Sequence, residues 1–292
     1  MDPGSCRLRE AKPMPELPEL DVVREVLERR ILGREIARVS VLPPGGPIIV
    51  RDLTGRGFEA VLEGAQIRAI KRRGKFLIFS IAPSPDPLFL AINPKLTGLL
   101  QLAAPEDKRV AKTHVLITFV DGQQLRYRDQ KQMGQLYLTS DLNMIPDFSA
   151  LGPEPFDVSL EEFRARLRKF RGEIKGILTR GEFVAGIGNA YADEILWEAR
   201  LHPYRKRTQL TAEEAERLHA AMRTTLERAV ERVRVEMGEA IDRKPREFMA
   251  VHMKGGQACP RCGATISLVS ANQRITNFCR ACQPGGLIKG MD

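Results

Sequence analysis

The chain has 292 residues, a length that suits two domains better than a single small module. Hydrophobic residues make up 43% of it and charged residues 28%, which excludes wholesale disorder and collagen-like repeats. The 46 lysines and arginines outnumber the 37 aspartates and glutamates, and the net charge of +9 favours a polyanionic partner. No apolar run approaches the roughly 20 residues of a membrane span, so we expect no membrane partner.

The N-terminal half has the pattern of a β-rich domain. Residues 1–13 lack the apolar core of a secretory signal and are expected to form a flexible leader. From Asp21 apolar residues recur at helical spacing, which predicts a helix that stops at Gly33. Short β-type runs come next, and Asp121 and Gly122 supply a tight hairpin turn between two of them. The runs are Ile36–Val41, Phe76–Ile81, Phe89–Ile92, His114–Val120 and Gln124–Tyr127. They predict a sandwich or barrel over about residues 36–140.

The C-terminal half has the pattern of a helical domain. A segment with two prolines, Leu151–Pro155, predicts a linker. Ser159 with Glu162, and Thr211 with Glu214, each form the spacing of a helix capping box. A further helix is predicted over Ala190–Ala199, and an apolar stripe follows the second capping box. The stripe consists of Ala215, Leu218, Met222, Leu226, Ala229 and Val233 and indicates ordinary helix packing.

Four of the five cysteines form two Cys-x-x-Cys pairs. Cys259 and Cys262 are separated from Cys279 and Cys282 by sixteen residues, enough for a hairpin that brings the pairs together. Four thiolates suit one tetrahedral Zn²⁺ with no open position, hence a structural ion in a reducing compartment. The alternatives are an iron–sulfur cluster and four free thiols.

The N-terminal run Pro15–Glu19 places two prolines and two carboxylates before a helix, which alone indicates no more than a helix start. Together with the cysteine hairpin it resembles the formamidopyrimidine-DNA glycosylase/endonuclease VIII family of base-excision repair enzymes. The motifs that carry the resemblance occur in the family's order over nearly the whole chain. They are Pro15–Glu19, Arg73–Lys75, Leu151–Pro155, Gly186–Ala192, and Gln273–Thr276 followed by Cys279–Gln283.

The resemblance implies an α+β fold in which DNA crosses a cleft. An N-terminal β-sandwich with flanking helices is followed by a helical helix–two-turns–helix domain and a C-terminal zinc finger. The expected divisions are a leader at 1–13, the catalytic sandwich at 14–145, a linker at 146–158, the helical DNA-binding domain at 159–245, the finger at 246–285 and a tail at 286–292.

The resemblance also implies the catalytic residues. Pro15 corresponds to the N-terminal proline whose secondary amine attacks C1′ of the deoxyribose and forms a Schiff base. Glu16 is expected to donate a proton to the sugar ring oxygen, and Lys75 to contact a phosphate beside the lesion. The implied activity is a bifunctional DNA glycosylase and AP lyase that excises oxidised or ring-opened bases and cleaves the strand by β,δ-elimination.

The same resemblance assigns further residues to DNA binding. Lys175 matches the family's lysine in the loop before the two-turn motif, and Asn189 and Arg274 match the pair that grips phosphates around the extruded nucleotide. Gly186 and Gly188 would let backbone amides approach a phosphate at a helix N-terminus. Without the family context, these residues would be interpreted as solvated cations, a helix-capping asparagine and turn glycines.

Three segments depart from the family pattern. The leader must be absent for Pro15 to have a free amine, and we expect translation to start at Met14. Leu96, Lys131 and Met133 stand where the family commonly has Met, Arg and Phe to fill the space left by the flipped base. Leucine and methionine can still act as wedges, but lysine lacks the planar fork of arginine that reads the opposite base. The alternative is that Leu96 and Met133 are core residues.

The third departure precedes the finger, where residues 232–246 lack the family's glycine-threonine run and 252–255 replace a Gly-Arg-containing approach. These changes predict an atypical pocket for the damaged base. A catalytically silent zinc-finger DNA-binding relative and a zinc-ribbon protein of another class, such as an RNA-binding module, are the competing functions. The leading prediction is a monomeric, cytoplasmic, nucleoid-associated enzyme of bacterial type that acts on damaged DNA.

Overall fold

The computed structural model describes residues 14–82, 86–271 and 274–285, so the predicted leader and tail lie outside the described residues. The helices are α1 (Leu17–Ile31), α2 (Gly46–Ile49), α3 (Phe58–Leu62), α4 (Leu160–Lys169), α5 (Ile174–Leu178), α6 (Asn189–Glu198) and α7 (Ala212–Met237). The strands are β1 (Ile36–Val41), β2 (Val50–Asp52), β3 (Gln66–Arg73), β4 (Phe76–Ala82), β5 (Phe89–Asn93), β6 (Gly98–Ala103), β7 (Thr113–Phe119), β8 (Gln124–Asp129), β9 (Gln135–Thr139), β10 (Ile266–Ala271) and β11 (Arg274–Cys279).

Two sheets form the predicted N-terminal sandwich. One has the strand order β2-β9-β5-β4-β3 and the other β1-β7-β8-β6, and all pairs are antiparallel except β2 with β9. Strand β4 shows why its run is continuously apolar: Leu77 and Phe79 face the core between the sheets, while Phe76 and Ile78 pack in a second cluster on the opposite face. A strand that is buried on both faces needs apolar residues at every position.

Helix α1 begins four residues before the position that its apolar spacing predicts. Glu16 is the N-cap and Pro18 occupies the first turn, where a missing N–H costs no hydrogen bond. The Glu19 carboxylate accepts a hydrogen bond from the Glu16 backbone N–H at 2.8 Å, so this N–H group at the start of the helix has a partner. The start of α1 is therefore capped by residues of its own first turn.

Helix α7 joins the two halves of the molecule. Its capping box is formed, since Glu214 N–H donates to Thr211 Oγ1 at 3.2 Å and Thr211 N–H donates to Glu214 Oε2 at 3.0 Å. The N-terminal part of the predicted stripe, including Leu218 and Met222, is buried in the helical core, whereas Val233 packs in the core of the sandwich. One helix thus holds both cores in a fixed relation.

The helical core is formed by α4 to α7, and the finger hairpin of β10 and β11 packs against α6. Ser159 caps α4 as predicted, through its Oγ and the Glu162 N–H at 3.1 Å. The short α5 was not predicted because five residues are too few for a periodic pattern. Among the helices that the structure describes, none is long and apolar enough to cross a membrane.

Candidate active site

Pro15 lies buried at the junction of α1 with the turn that precedes α6. The Leu17 N–H donates to the Gly186 carbonyl at 3.1 Å, which ties the two segments together. Gly186 has a φ of +90°, and a Cβ there would come within 3.0 Å of the Leu17 side chain. The glycine is therefore needed both for the turn and for the close approach of α1.

The Glu16 carboxylate is held by the N-terminus of α6. It accepts backbone N–H groups from Gly188 at 2.6 Å, Ala190 at 3.0 Å and Tyr191 at 3.3 Å. A Cβ at residue 188 would lie 2.3 Å from the Glu16 carboxyl carbon, so only glycine leaves room for the carboxylate. The N-terminus of α6, for which the sequence predicted a phosphate, thus binds the Glu16 carboxylate. A phosphate contact of Gly186 and Gly188 stays a prediction.

A second carboxylate, Glu19, completes a buried charge network. Its Oε1 accepts from the Tyr191 hydroxyl at 3.0 Å and from Arg246 Nε at 3.0 Å. Burial and the neighbouring Glu19 raise the pKa of Tyr191 well above its usual value, so its hydroxyl remains a donor. The Arg246 guanidinium also lies 5.6 Å from the centre of the Tyr191 ring. Pro15, Glu16, Glu19, Tyr191 and Arg246 are called the active-site cluster below.

Lys75 lies in the tight turn between β3 and β4. Gly74 has a φ of +56°, and its N–H donates to the Glu154 carboxylate at 2.7 Å. Arg73 Nη1 donates to the same carboxylate at 2.9 Å, so the Leu151–Pro155 segment fixes the turn. Burial lowers the pKa of Lys75, against the attraction of the Glu16 and Glu19 carboxylates. The Lys75 ammonium thus lies within electrostatic range of both carboxylates, and its contact with a phosphate stays a prediction.

A narrow pocket opens beside Pro15. Its walls include the apolar side chains of Leu77, Ile92 and Leu99, together with Lys244 from the segment after α7. Burial, followed by repulsion from Arg246, lowers the pKa of Lys244 to about 8. The segment that departs from the family pattern therefore brings two cations, at positions 244 and 246, to the catalytic end of the molecule.

Two of the predicted DNA-binding residues converge on one backbone carbonyl. Lys175 Nζ and Asn189 Nδ2 donate to the Ile275 carbonyl at 3.0 and 2.8 Å. Lys175 also forms an ion pair of 2.6 Å with the buried carboxylate of Asp193. Arg274 directly precedes Ile275 at the start of β11, but its side chain lies outside the described part of the chain. The backbone thus brings all three predicted residues to one location.

Acidic residues of α6 anchor the finger. Asp193 accepts from the Asn277 N–H at 3.2 Å and lies 2.9 Å from His252 Nδ1. Glu194 accepts backbone N–H groups of residues 250–252 at 2.7 to 2.8 Å. Burial raises the pKa of Glu194, although these hydrogen bonds oppose the shift. Helix α6 therefore holds both Glu16 at its start and the finger along its side.

The four cysteines form the predicted metal site. All four Sγ atoms lie within 4.8 Å of one another. Four ligands at about 2.3 Å from a tetrahedral zinc ion are separated by about 3.8 Å, so this cluster fits one ion. Trp197 Nε1 donates to Cys259 Sγ at 3.4 Å, and Arg261 stacks at 3.8 Å over the Trp197 ring. These contacts join the metal site to the end of α6.

The three predicted wedge residues lie on two neighbouring loops. Leu96 lies on the loop 94–97 and is partly buried, whereas Lys131 and Met133 lie exposed on the loop 130–134. Met133 is 49% exposed, so it is not the core residue that the alternative interpretation would require. These two loops are called the wedge loops.

Buried Asp129 ties the wedge loops together. Its carboxylate accepts backbone N–H groups from Lys131 at 3.2 Å and from Gly134 at 2.7 Å, and it also hydrogen-bonds the hydroxyl of Thr97. Sequence reasoning assigned no role to Asp129, Glu19, Asp193 or Arg246. For Asp129 a signal existed, because an aspartate before a tight turn often binds the following N–H groups.

Three family models match the chain. They are the formamidopyrimidine-DNA glycosylase N-terminal domain over residues 14–136, the formamidopyrimidine-DNA glycosylase H2TH domain over 151–238, and the zinc finger found in FPG and IleRS over 256–285. A formamidopyrimidine-DNA glycosylase of Symbiobacterium thermophilum is 39% identical over 280 residues, covering 93% of this chain and 90% of that protein. The chain belongs to the formamidopyrimidine-DNA glycosylase family.

Solved structures of the family agree with this assignment. Lactococcus lactis Fpg in complex with DNA that contains an abasic site matches with a TM-score of 0.82 and 34% identity, covering 92% of this chain and 100% of that one. The complex of Lactococcus lactis Fpg with FAPY-dG containing DNA matches with the same values. Membership confirms the predicted fold class, the structural zinc and DNA as the partner. It also confirms the predicted enzyme class, a bifunctional glycosylase and AP lyase, over the catalytically silent alternative.

Proposed function

We propose that this glycosylase attacks damaged nucleotides with the nitrogen of Pro15 and that Glu16 moves the protons of the reaction. The observation that carries the proposal is the placement of Glu16. Its carboxylate is one residue from Pro15 and is fixed by three N–H groups of α6. A proton shuttle must be held within reach of the reacting atoms, and a fixed carboxylate next to Pro15 in the chain supports this role for Glu16.

The chemistry requires that the Pro15 nitrogen be a free secondary amine. An amine at a chain terminus has a pKa near 8, against about 10.4 for lysine, so a larger fraction is unprotonated at neutral pH. We expect a chain that starts at Met14 and loses that residue. The mass of the N-terminal peptide of active enzyme tests this expectation.

The reaction then proceeds in two bond exchanges. The Pro15 nitrogen forms a bond to C1′ while the glycosidic bond breaks, and the base leaves with the electron pair and takes a proton from water. The new ammonium gives its proton to Glu16, which passes it to the ring oxygen as the C1′–O4′ bond breaks. The nitrogen lone pair forms the C=N bond of the iminium, so atoms and charges balance.

Strand cleavage follows from the iminium. A positively charged C=N group acidifies the hydrogens on C2′, so loss of one of them expels the 3′-phosphate, and a second elimination expels the 5′-phosphate. This sequence is β,δ-elimination, the lyase activity that we propose for the same site. Lys75 would contact a phosphate beside the reacting sugar.

The remaining predicted residues position DNA. Lys175, Asn189 and Arg274 would hold phosphates around the extruded nucleotide, with the zinc ion, bound by the four cysteines, keeping the hairpin that carries Arg274 rigid. Leu96 and Met133 would fill the space of the flipped base, and Lys131 would face the base left opposite. We further propose that the enzyme works as a monomer on nucleoid DNA.

Borohydride trapping tests the proposal. With oligonucleotides that carry an oxidised or ring-opened base, or an abasic site, the enzyme is expected to form a covalent adduct with the DNA. Pro15→Gly is expected to cripple excision and leave DNA affinity largely intact, whereas Pro18→Ala, in the first turn of α1, serves as the matched control. No adduct from an enzyme with a verified Pro15 terminus would contradict the proposed function, as would a Pro15→Gly variant that loses affinity but not chemistry.

A further inference from the structure

Arg246 extends from the segment after α7 into the start of α1. Its side chain is 10% exposed, and its Nε lies 3.0 Å from Glu19 Oε1. Its Nη2 donates to the Met14 carbonyl oxygen at 2.6 Å and lies 3.8 Å from Glu16 Oε1. One guanidinium therefore contacts both carboxylates of the active-site cluster and the group that is bonded to the Pro15 nitrogen.

The Met14–Pro15 peptide bond shows where a substrate atom would lie. Its carbonyl carbon is bonded to the same nitrogen that would bond C1′ in the ring-closed adduct, before the C1′–O4′ bond breaks. The carbonyl carbon thus stands in for C1′, and the carbonyl oxygen stands in for an atom bonded to C1′. The sugar ring offers two such atoms, O4′ and C2′, and only O4′ accepts a hydrogen bond. Because Arg246 donates a hydrogen bond to the carbonyl oxygen, we take the position of that oxygen as the position that O4′ would occupy.

We propose that Arg246 is a further catalytic residue, which donates a hydrogen bond to O4′ and stabilises its negative charge as the sugar ring opens. The inference rests on the proposed attack by Pro15. Glu16 would deliver the proton to O4′, and Arg246 would keep all its protons and supply only the hydrogen bond. Preorganised donors aimed at an oxygen that gains charge are among the most effective devices of enzymes.

The surroundings of Arg246 suit this role. Although burial opposes its charge, attraction to Glu19 and Glu16 keeps the pKa of Arg246 above its usual value, so the group remains a cation. The Nε–Glu19 hydrogen bond and the Tyr191 ring fix the plane of the guanidinium. Removal of Met14 leaves this orientation intact, because neither contact involves Met14. The Nη2 donor then faces the space in front of the Pro15 nitrogen.

Single-turnover kinetics test the proposal. Arg246→Ala is expected to slow iminium formation with abasic DNA, followed by borohydride trapping, by about 100-fold, the size of effect that loss of one such donor has elsewhere. Arg246→Lys keeps the charge beside Glu19 but not the fork, and a loss of about tenfold is expected. The DNA dissociation constants of both variants should stay within about threefold of the parent. The lysine variant answers the question even if the alanine variant does not fold.

Arg234→Ala is the matched control, because Arg234 likewise pairs a glutamate of α1, Glu25, through two hydrogen bonds of 2.9 Å. Its trapping rate should equal that of the parent. A structure of the borohydride-reduced adduct should place an Arg246 nitrogen within about 3.2 Å of the oxygen that was O4′. A larger separation, or Arg246 variants that trap at the parental rate, would overturn this role alone. A parent enzyme that forms no adduct would overturn the proposed function itself.

Discussion

The active-site cluster and the wedge loops hold their side chains in opposite ways. In the active-site cluster the functional groups are buried and each carboxylate is bound by several donors from distant parts of the chain. In the wedge loops the backbone is fixed by Asp129, while Lys131 and Met133 remain exposed. Bond making requires reacting groups with fixed positions, whereas separating a base pair requires side chains that project from a rigid support.

The largest expected effect concerns Glu16, the proton shuttle that we propose in the active-site cluster. Glu16→Gln leaves a carbonyl oxygen for the α6 N–H groups but cannot carry a proton. Excision is therefore expected to fall by about 10²–10⁴-fold in single-turnover assays, while the variant still binds DNA. Glu28→Gln, on the exposed side of α1, is the matched control. Retention of more than about a tenth of the parental rate by Glu16→Gln would contradict the assigned role.

A second prediction concerns the free energy of unfolding and the buried charge of Lys244, which lines the pocket beside Pro15. Because the folded-state pKa of Lys244 is lowered to about 8, the unfolded chain binds more protons than the folded one between about pH 8 and pH 10.4. The free-energy cost of burying the charged Lys244 is therefore complete below pH 8 and vanishes as the pH rises from about 8 to 10.4. Lys244→Met is therefore expected to raise the free energy of unfolding by about 2 kcal/mol at pH 7 and by little above pH 10.

Denaturant titrations at pH 7 and pH 10 measure this difference. Lys131→Met, in the exposed wedge loop, should change the free energy of unfolding by less than about 0.5 kcal/mol at either pH. Equal stabilisation by Lys244→Met and Lys131→Met would show that burying a lysine charge costs no more beside Pro15 than in the wedge loops.

A third prediction concerns the support of the wedge loops. Asp129→Asn replaces one acceptor oxygen with an NH₂ group, which can only donate. The three groups that now donate to Asp129 would therefore lose part of their acceptor, and the support of the loops would weaken. Excision from a fully paired duplex is expected to fall about tenfold, and cleavage at an abasic site, which has no base to unstack, should fall less. Asp121→Asn, in the exposed β7–β8 turn, is the control. Equal losses on both substrates would mean that Asp129 supports the fold and not base separation.

The smallest effect is expected at the exposed tip of the same loops. Lys131→Arg supplies the planar fork that lysine lacks and should change the ratio of excision rates opposite dC and opposite dA by about fivefold or more. The exposed Lys108→Arg should leave the ratio unchanged. A constant ratio for Lys131→Arg would show that residue 131 does not read the opposite base.

Local sequence signals predicted local structure well. Ser159 and Thr211 cap helices where their spacing indicated, and the cysteine pairs form one site because each pair is a single turn. The Pro15–Glu19 motif predicted a nucleophile and its neighbour through a family resemblance, and both roles are part of the proposed function. The resemblance, and not the spacing of residues, also placed Lys175, Asn189 and Arg274 together.

Long-range partners were not predictable from the sequence. Glu16 is bound by N–H groups 172 to 175 positions away, and no local pattern reports such a contact. Arg246 lies in the segment that departs from the family, so the resemblance assigned it no role. The ion pair of Lys175 with Asp193 was missed for a similar reason, because each residue alone resembles a surface charge.

The most direct test of the central claim is the site of covalent attachment. The borohydride-reduced adduct with abasic DNA is digested with protease and nuclease, and the modified peptide is sequenced by mass spectrometry. The account predicts a sugar remnant on the nitrogen of Pro15, in a peptide that begins with this residue. A remnant on Lys75 or Lys244, or trapping by enzyme whose Pro15 nitrogen is still bonded to Met14, would contradict it.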